Sequence, residues 1–101
     1  MRILPKPVQF EWDAGNKAKS LKKHGIFPQE SEQVFRSDDF ILLGDKRHSL
    51  TEERQLIIGT TDLGRLLSMV FTIRDRRVRI ISARPSSKKE RKIYEETAKS
   101  S

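Results

Sequence analysis

Four short apolar runs, separated by little chain, constrain the fold more than any other feature of this sequence. They are Phe40-Ile41-Leu42-Leu43, Arg54 to Thr60, Leu66 to Ile73, and Val78 to Ala83. Each is rich in β-branched or large apolar residues and has the length of a strand. Gly44-Asp45 ends the first run, and a polar loop over 45–53, containing His48, leads to the second. Thr61-Asp62-Leu63-Gly64-Arg65 is turn chemistry, and Arg74-Asp75-Arg76-Arg77 makes a tight turn into the last run. Parallel neighbours would need a crossover of about a dozen residues or more, so these connections imply an antiparallel meander. The runs are nearly continuous in apolar character, so alternation does not assign each arginine to a face.

The chain before and after the runs reads as helical. Asp13 is an N-cap residue, and Ala14, Ala18 and Leu21 form one stripe of a helix over 14–24. Lys22, Lys23 and His24 occupy its last turn, and Gly25 is a natural C′ residue. His24 reads as a cap that interacts with the helix dipole, with a catalytic role as the lesser reading. Pro28 suits the first position of a second helix, with Val34 and Phe35 at its apolar end and a finish near Arg36. Glu30 and Glu32 read as a solvated face. Phe10 and Trp12 are candidate core anchors, and residues 1–9 a flexible arm ahead of one domain over 10–97. The order α-α-β-β-β-β-α gives an α+β domain, with helices expected against one sheet face.

The last strand runs into the last helix across Arg84-Pro85-Ser86-Ser87. Pro85 lacks an N–H and is expected to stop the strand ladder. Ser87-Lys88-Lys89-Glu90 has the spacing of a capping box. Arg84 is placed at the junction, facing the helix start.

Charge concentrates at this junction. Between Arg74 and Lys92 there are nine Lys/Arg against Asp75 and Glu90, a local excess of +7 that equals the net charge of the whole chain. An excess held in one segment is the footprint of an anion-binding surface. Lys88 and Lys89 stand in the first turn of the helix and Glu95 and Glu96 in the last, each against the macrodipole. Solvated charges offset by Arg91–Glu95 and Lys92–Glu96 neighbours are one reading. The sharper reading is that cations wait at the helix start for phosphate.

Composition narrows the partner. A sequence pI of about 10.1 favours nucleic acid over other anions. Cysteine is absent and histidine occurs only at 24 and 48, so neither a disulfide nor a conventional structural zinc site is expected. The apolar runs are too short to span a membrane, and the start is too short and proline-rich for a signal peptide. A soluble cytoplasmic protein is the expectation.

Several of these residues also carry a family resemblance. Phe10-Glu11-Trp12-Asp13, Gly15-Asn16-Lys17 and Lys23-His24-Gly25 resemble the opening of BrnT toxins. The likeness continues through Glu32-x-Val34-Phe35, His48, Glu53-Arg54 and Ile58-Gly59, then Arg79 to Arg84, Glu90-Arg91 and Tyr94-Glu95. It covers roughly residues 10–96 in order; Ser20 stands where the family commonly has Asn. The resemblance implies a RelE-like α+β fold and a ribonuclease toxin of a type II toxin–antitoxin pair. It further implies RNA cleavage without a metal or other cofactor, and neutralisation by a BrnA antitoxin. Such an antitoxin carries a ribbon-helix-helix domain, through which the complex reaches its operator DNA.

Metal-free RNA cleavage needs a base for the ribose 2′-OH, cations for the phosphorane, and an acid for the leaving 5′-oxygen. Arginine suits the second role, being always charged and bidentate toward phosphate. Arg84 is the first candidate, with Arg54, Arg79 and Arg91 beside it. His48 and Glu53 are candidates for the base, although His48 reads equally as a loop histidine and Glu53 as the ion-pair partner of an arginine. Lys88, Lys89 and Lys92 are candidate RNA contacts. Tyr94 could stack on a base or donate a proton, but beside Ile93 it reads better as core. A non-catalytic nucleic-acid-binding module would need the arginines but not the acid and base, as would a degenerate toxin that keeps only antitoxin binding.

Overall fold

The computed structural model describes residue 4, residues 7–44 and residues 54–99; His48 and Glu53, the two candidate bases, lie outside the described residues. The elements are α1 (Ala14–His24), α2 (Pro28–Arg36), β1 (Ile41–Gly44), β2 (Gln55–Thr60), β3 (Leu66–Arg74), β4 (Arg77–Pro85) and α3 (Lys88–Lys99). The four strands form one sheet in the order β1-β2-β3-β4, every pair antiparallel. This is the α+β meander that the spacing of the apolar runs predicts.

The β4 ladder ends at Pro85, one residue beyond Arg84. Pro85 lies opposite Leu67, and the next N–H, from Ser86, donates to the Leu66 carbonyl at 3.1 Å. A strand end tolerates the missing donor because the bond on either side carries the pairing. Beyond β4, Phe10 forms a parallel bridge to Val78. Val78 N–H donates to the Gln9 carbonyl at 2.7 Å, and Glu11 N–H to the Val78 carbonyl at 2.8 Å. The chain just before α1 thus covers part of the outer edge of β4.

The helices do not share one face. A Cβ at Gly59 would stand 2.9 Å from Val34 Cγ1, so α2 packs on the face to which Gly59 points, and only glycine admits it so closely. The neighbouring Thr60 points the other way and meets Tyr94 of α3. Helices α2 and α3 therefore lie on opposite faces. Helix α1 runs beside β4, where the Asn16 side chain donates to the Ile80 carbonyl at 3.2 Å. Its Ala14, Ala18 and Leu21 stripe does not face the core: all three are exposed, Leu21 at 39%.

The core lies between α2 and the sheet, and holds Ile57, Leu67, Met69 and Phe71 with Val78, Ile80 and Ala83, closed by Ile26, Val34 and Phe35. Phe35 meets Phe10 and Phe71 edge to face, with ring centres 5.5 and 5.0 Å away. Phe10 and Trp12 pack against this cluster, as do Leu4 and Val8. The Trp12 indole N–H donates to Glu32 at 2.8 Å, and Glu30 pairs with Arg65 at 3.4 Å. Neither glutamate is simply solvated.

The β3–β4 connection is a two-residue turn with Asp75 at φ 50° and Arg76 at φ 64°. Both lie in the left-handed region, which matches the twist of a hairpin and which Asp tolerates but which is disfavoured for an arginine. Replacing the pair with Asn-Gly (D75N/R76G) should raise stability by about 1 kcal/mol, or roughly 4–8 °C in Tm, read by thermal unfolding.

Candidate functional site

A β-bulge decides which arginines share a face. On β4, Arg79 faces Thr72 and Arg84 faces Ser68, although the two arginines are five positions apart. In a regular strand that odd spacing sends them to opposite faces. The register shift opposite Val70 and Phe71 leaves Ile81 as an extra residue and restores the parity. Arg79, Ser82 and Arg84 thus share the face that α3 partly covers. Arg54, just ahead of β2, continues the same row beside Thr72 and Arg79.

Along the seam between α1 and this face run two adjoining clefts. The first, of about 430 Å³, is lined by Lys19, Arg54, Arg74 and Arg79, with Asp13 and Asn16 at the helix start. Arg79 is held there by two carboxylates, Glu11 at 3.0 Å and Asp13 at 2.7 Å. Asp13 accepts the Asn16 backbone N–H at 2.9 Å, which is the N-cap bond expected of it. That bond and the Arg79 guanidinium hold the Asp13 carboxyl below its usual range.

The second cleft, of about 200 Å³, is lined by Lys19, Lys23, His24, Ser82, Ala83 and Arg84. Lys19 borders both. Helix α1 therefore turns its Asn16, Lys19, Lys23 and His24 side toward β4 and leaves its alanines and Leu21 outside. Its end is fixed by Arg65 from the β2–β3 turn. The Arg65 guanidinium donates to the His24 carbonyl at 3.1 Å and the Gly25 carbonyl at 3.4 Å. Gly25, at φ 66°, is the left-handed residue that stops the helix.

Arg84 closes the second cleft toward α3. Its two terminal nitrogens donate to the two Glu90 oxygens at 2.6 and 2.7 Å. Glu90 is also the capping-box residue: it accepts the Ser87 N–H at 2.9 Å, while its own N–H donates to Ser87 Oγ at 3.2 Å. The Arg84 guanidinium above all, against the cost of burial, lowers the Glu90 carboxyl to about 2. Lys88, Lys89, Arg91 and Lys92 are exposed around this helix start. Tyr94 is half-buried, its hydroxyl pushed up by burial first and by Asp39 second, and it lines neither cleft.

The fold thus brings Arg54, Arg79 and Arg84 onto one face, flanked at the α3 end by Lys88, Lys89, Arg91 and Lys92. Tyr94 is packed between α3 and β2 rather than at the clefts. Sequence reasoning missed Lys19 and Lys23, and it missed that Arg84 is bound by Glu90. The i, i+4 spacing of Lys19 and Lys23 was the available signal, obscured because the apolar stripe of the same helix invited the opposite orientation.

A model of the family described as ribonuclease toxin, BrnT, of type II toxin-antitoxin system matches residues 12–90. No curated protein matches the chain.

Proposed function

The chain belongs to the BrnT family of type II toxin–antitoxin ribonuclease toxins, and we propose that it cuts RNA at the arginine face without a metal, through attack of the ribose 2′-OH. The observation that carries this reading is the placement of Arg79 and Arg84 on one face with Arg54 in the same row. A phosphate lying there meets guanidinium groups as negative charge grows in the transition state. The Glu90 pair uses one N–H on each terminal nitrogen of Arg84. Nη1 also donates to the Pro85 carbonyl at 3.5 Å, which leaves one N–H on Nη2 and the Nε–H to face a substrate. Glu53 and His48 precede Arg54 in the chain, and we assign the base to one of them. Arg91 and the α3 lysines extend the phosphate contacts.

The partner in this reading is a BrnA-like antitoxin with a ribbon-helix-helix domain, acting in the cytoplasm and contacting operator DNA for the complex. An acidic or shape-complementary partner over the basic face answers its unbalanced charge. The purified protein, incubated with RNA in excess EDTA, should leave 2′,3′-cyclic or 3′-phosphate ends, and the antitoxin should abolish the cutting. Activity that returns only with added Mg²⁺ would overturn the metal-free mechanism.

A further inference from the structure

We propose that His24 is the general acid that protonates the leaving 5′-oxygen, acting in the cleft it shares with Arg84. The proposal rests on the ribonuclease reading above and adds the group that reading lacks.

An exposed helix ordinarily turns its apolar stripe inward, yet α1 places Lys19, Lys23 and His24 along β4 and leaves Leu21 outside. His24 is half-buried at the fixed end of the helix, where Arg65 holds its carbonyl and that of Gly25. Backbone so restrained fixes where the side chain enters the cleft, which favours proton transfer to an atom bound there.

Among the described residues, the carboxylates beside the arginines are bound by them, Glu11 and Asp13 by Arg79 and Glu90 by Arg84. Asp13 and Glu90 are both held ionised below the ordinary carboxylate range, so neither carries a proton to give at neutral pH. Tyr94 is pushed the other way and lines neither cleft. Imidazole is the side chain that gains and loses a proton near neutrality. The charged groups facing His24 are Lys19 and Lys23 of α1, Arg84 of β4, and Arg65, itself paired with Glu30 of α2. These cations draw a phosphate into the cleft that the imidazole lines.

The step balances. The base removes the 2′-OH proton, and the 2′-oxygen bonds to phosphorus. The bond from phosphorus to the 5′-oxygen breaks, and the His24 imidazolium passes its proton to that oxygen. The products are a 2′,3′-cyclic phosphate, a 5′-hydroxyl and a neutral imidazole, which takes a proton back from water.

An RNA oligonucleotide with sulfur in place of the 5′-bridging oxygen tests the assignment, because a thiolate leaves without protonation. Single-turnover cleavage of the oxygen and sulfur substrates is compared for the parent, His24→Asn and His24→Gln. Both variants should cut the oxygen substrate at least ~10²-fold more slowly, and the sulfur substrate within a few-fold of the parent. The parent itself should show an alkaline limb in its pH–rate profile on the oxygen substrate and none on the sulfur substrate, a result that depends on no variant folding. Equal losses on both substrates, parental rates in the variants, or an alkaline limb unaffected by sulfur would each overturn the proposal while leaving the ribonuclease reading intact. A parent that cuts neither substrate overturns both.

Discussion

Arg84→Ala should slow RNA cleavage by roughly 10²–10³-fold at saturating substrate, the scale of losing one preorganised donor to a developing oxyanion. The loss should fall on the rate constant rather than on RNA affinity, because the other cations of the face remain to hold the backbone. Stability should change little. The guanidinium is 45% exposed, and its partner Glu90 keeps the Ser87 N–H after the arginine is gone. A half-exposed pair of this kind contributes about 1 kcal/mol or less. Arg84→Lys should recover only a small part of the rate. An ammonium cannot hold both Glu90 oxygens in one plane while presenting further fixed N–H groups to a phosphate. Parallel single-turnover assays and thermal melts decide the matter. A variant that cleaves at the parental rate, or that unfolds outright, would show Arg84 to be structural.

The reason Arg84 shares a face with Arg79 lies in one residue. Strand positions were legible from the runs of apolar side chains, and α1 and α2 from their caps and punctuation: Asp13, Gly25 and Pro28 mark boundaries that the structure keeps. The face occupied by each arginine was not legible, because a one-residue bulge at Ile81 reverses parity and nothing in a continuous apolar run announces it. The orientation of α1 was hidden for a related reason. Its stripe of Ala14, Ala18 and Leu21 follows the helical period, but tertiary contacts through Asn16 set the helix the other way round. The Ser87–Glu90 capping box was visible because it is local. The Arg84–Glu90 pair was not, because it depends on the angle at which β4 delivers the chain to α3.

That pair sets the expected dependence of stability on acid. Glu90→Gln keeps the shape of the side chain and an oxygen for the Ser87 N–H, but removes the charge that both Arg84 nitrogens contact. The loss at neutral pH should be about 1 kcal/mol, the worth of a half-exposed pair. Acid should expose the same contribution. The Glu90 carboxyl is held at about 2 in the folded protein against an ordinary value of 4.5, so the unfolded chain binds the proton more readily in that interval. A depressed folded value means stability that is fully present above the ordinary value and lost as pH falls toward about 2. The parent Tm should therefore drop between about pH 5 and pH 2, while the Glu90→Gln melt starts lower and declines less. Asp13, also held below its usual range, gives both proteins a shared acid slope, so the difference between the two curves is the quantity to follow. Convergence of the curves toward the acid end identifies the Arg84–Glu90 contact as the tie between β4 and the start of α3. Curves that stay parallel down to about pH 2 would assign the cost of the substitution to packing instead.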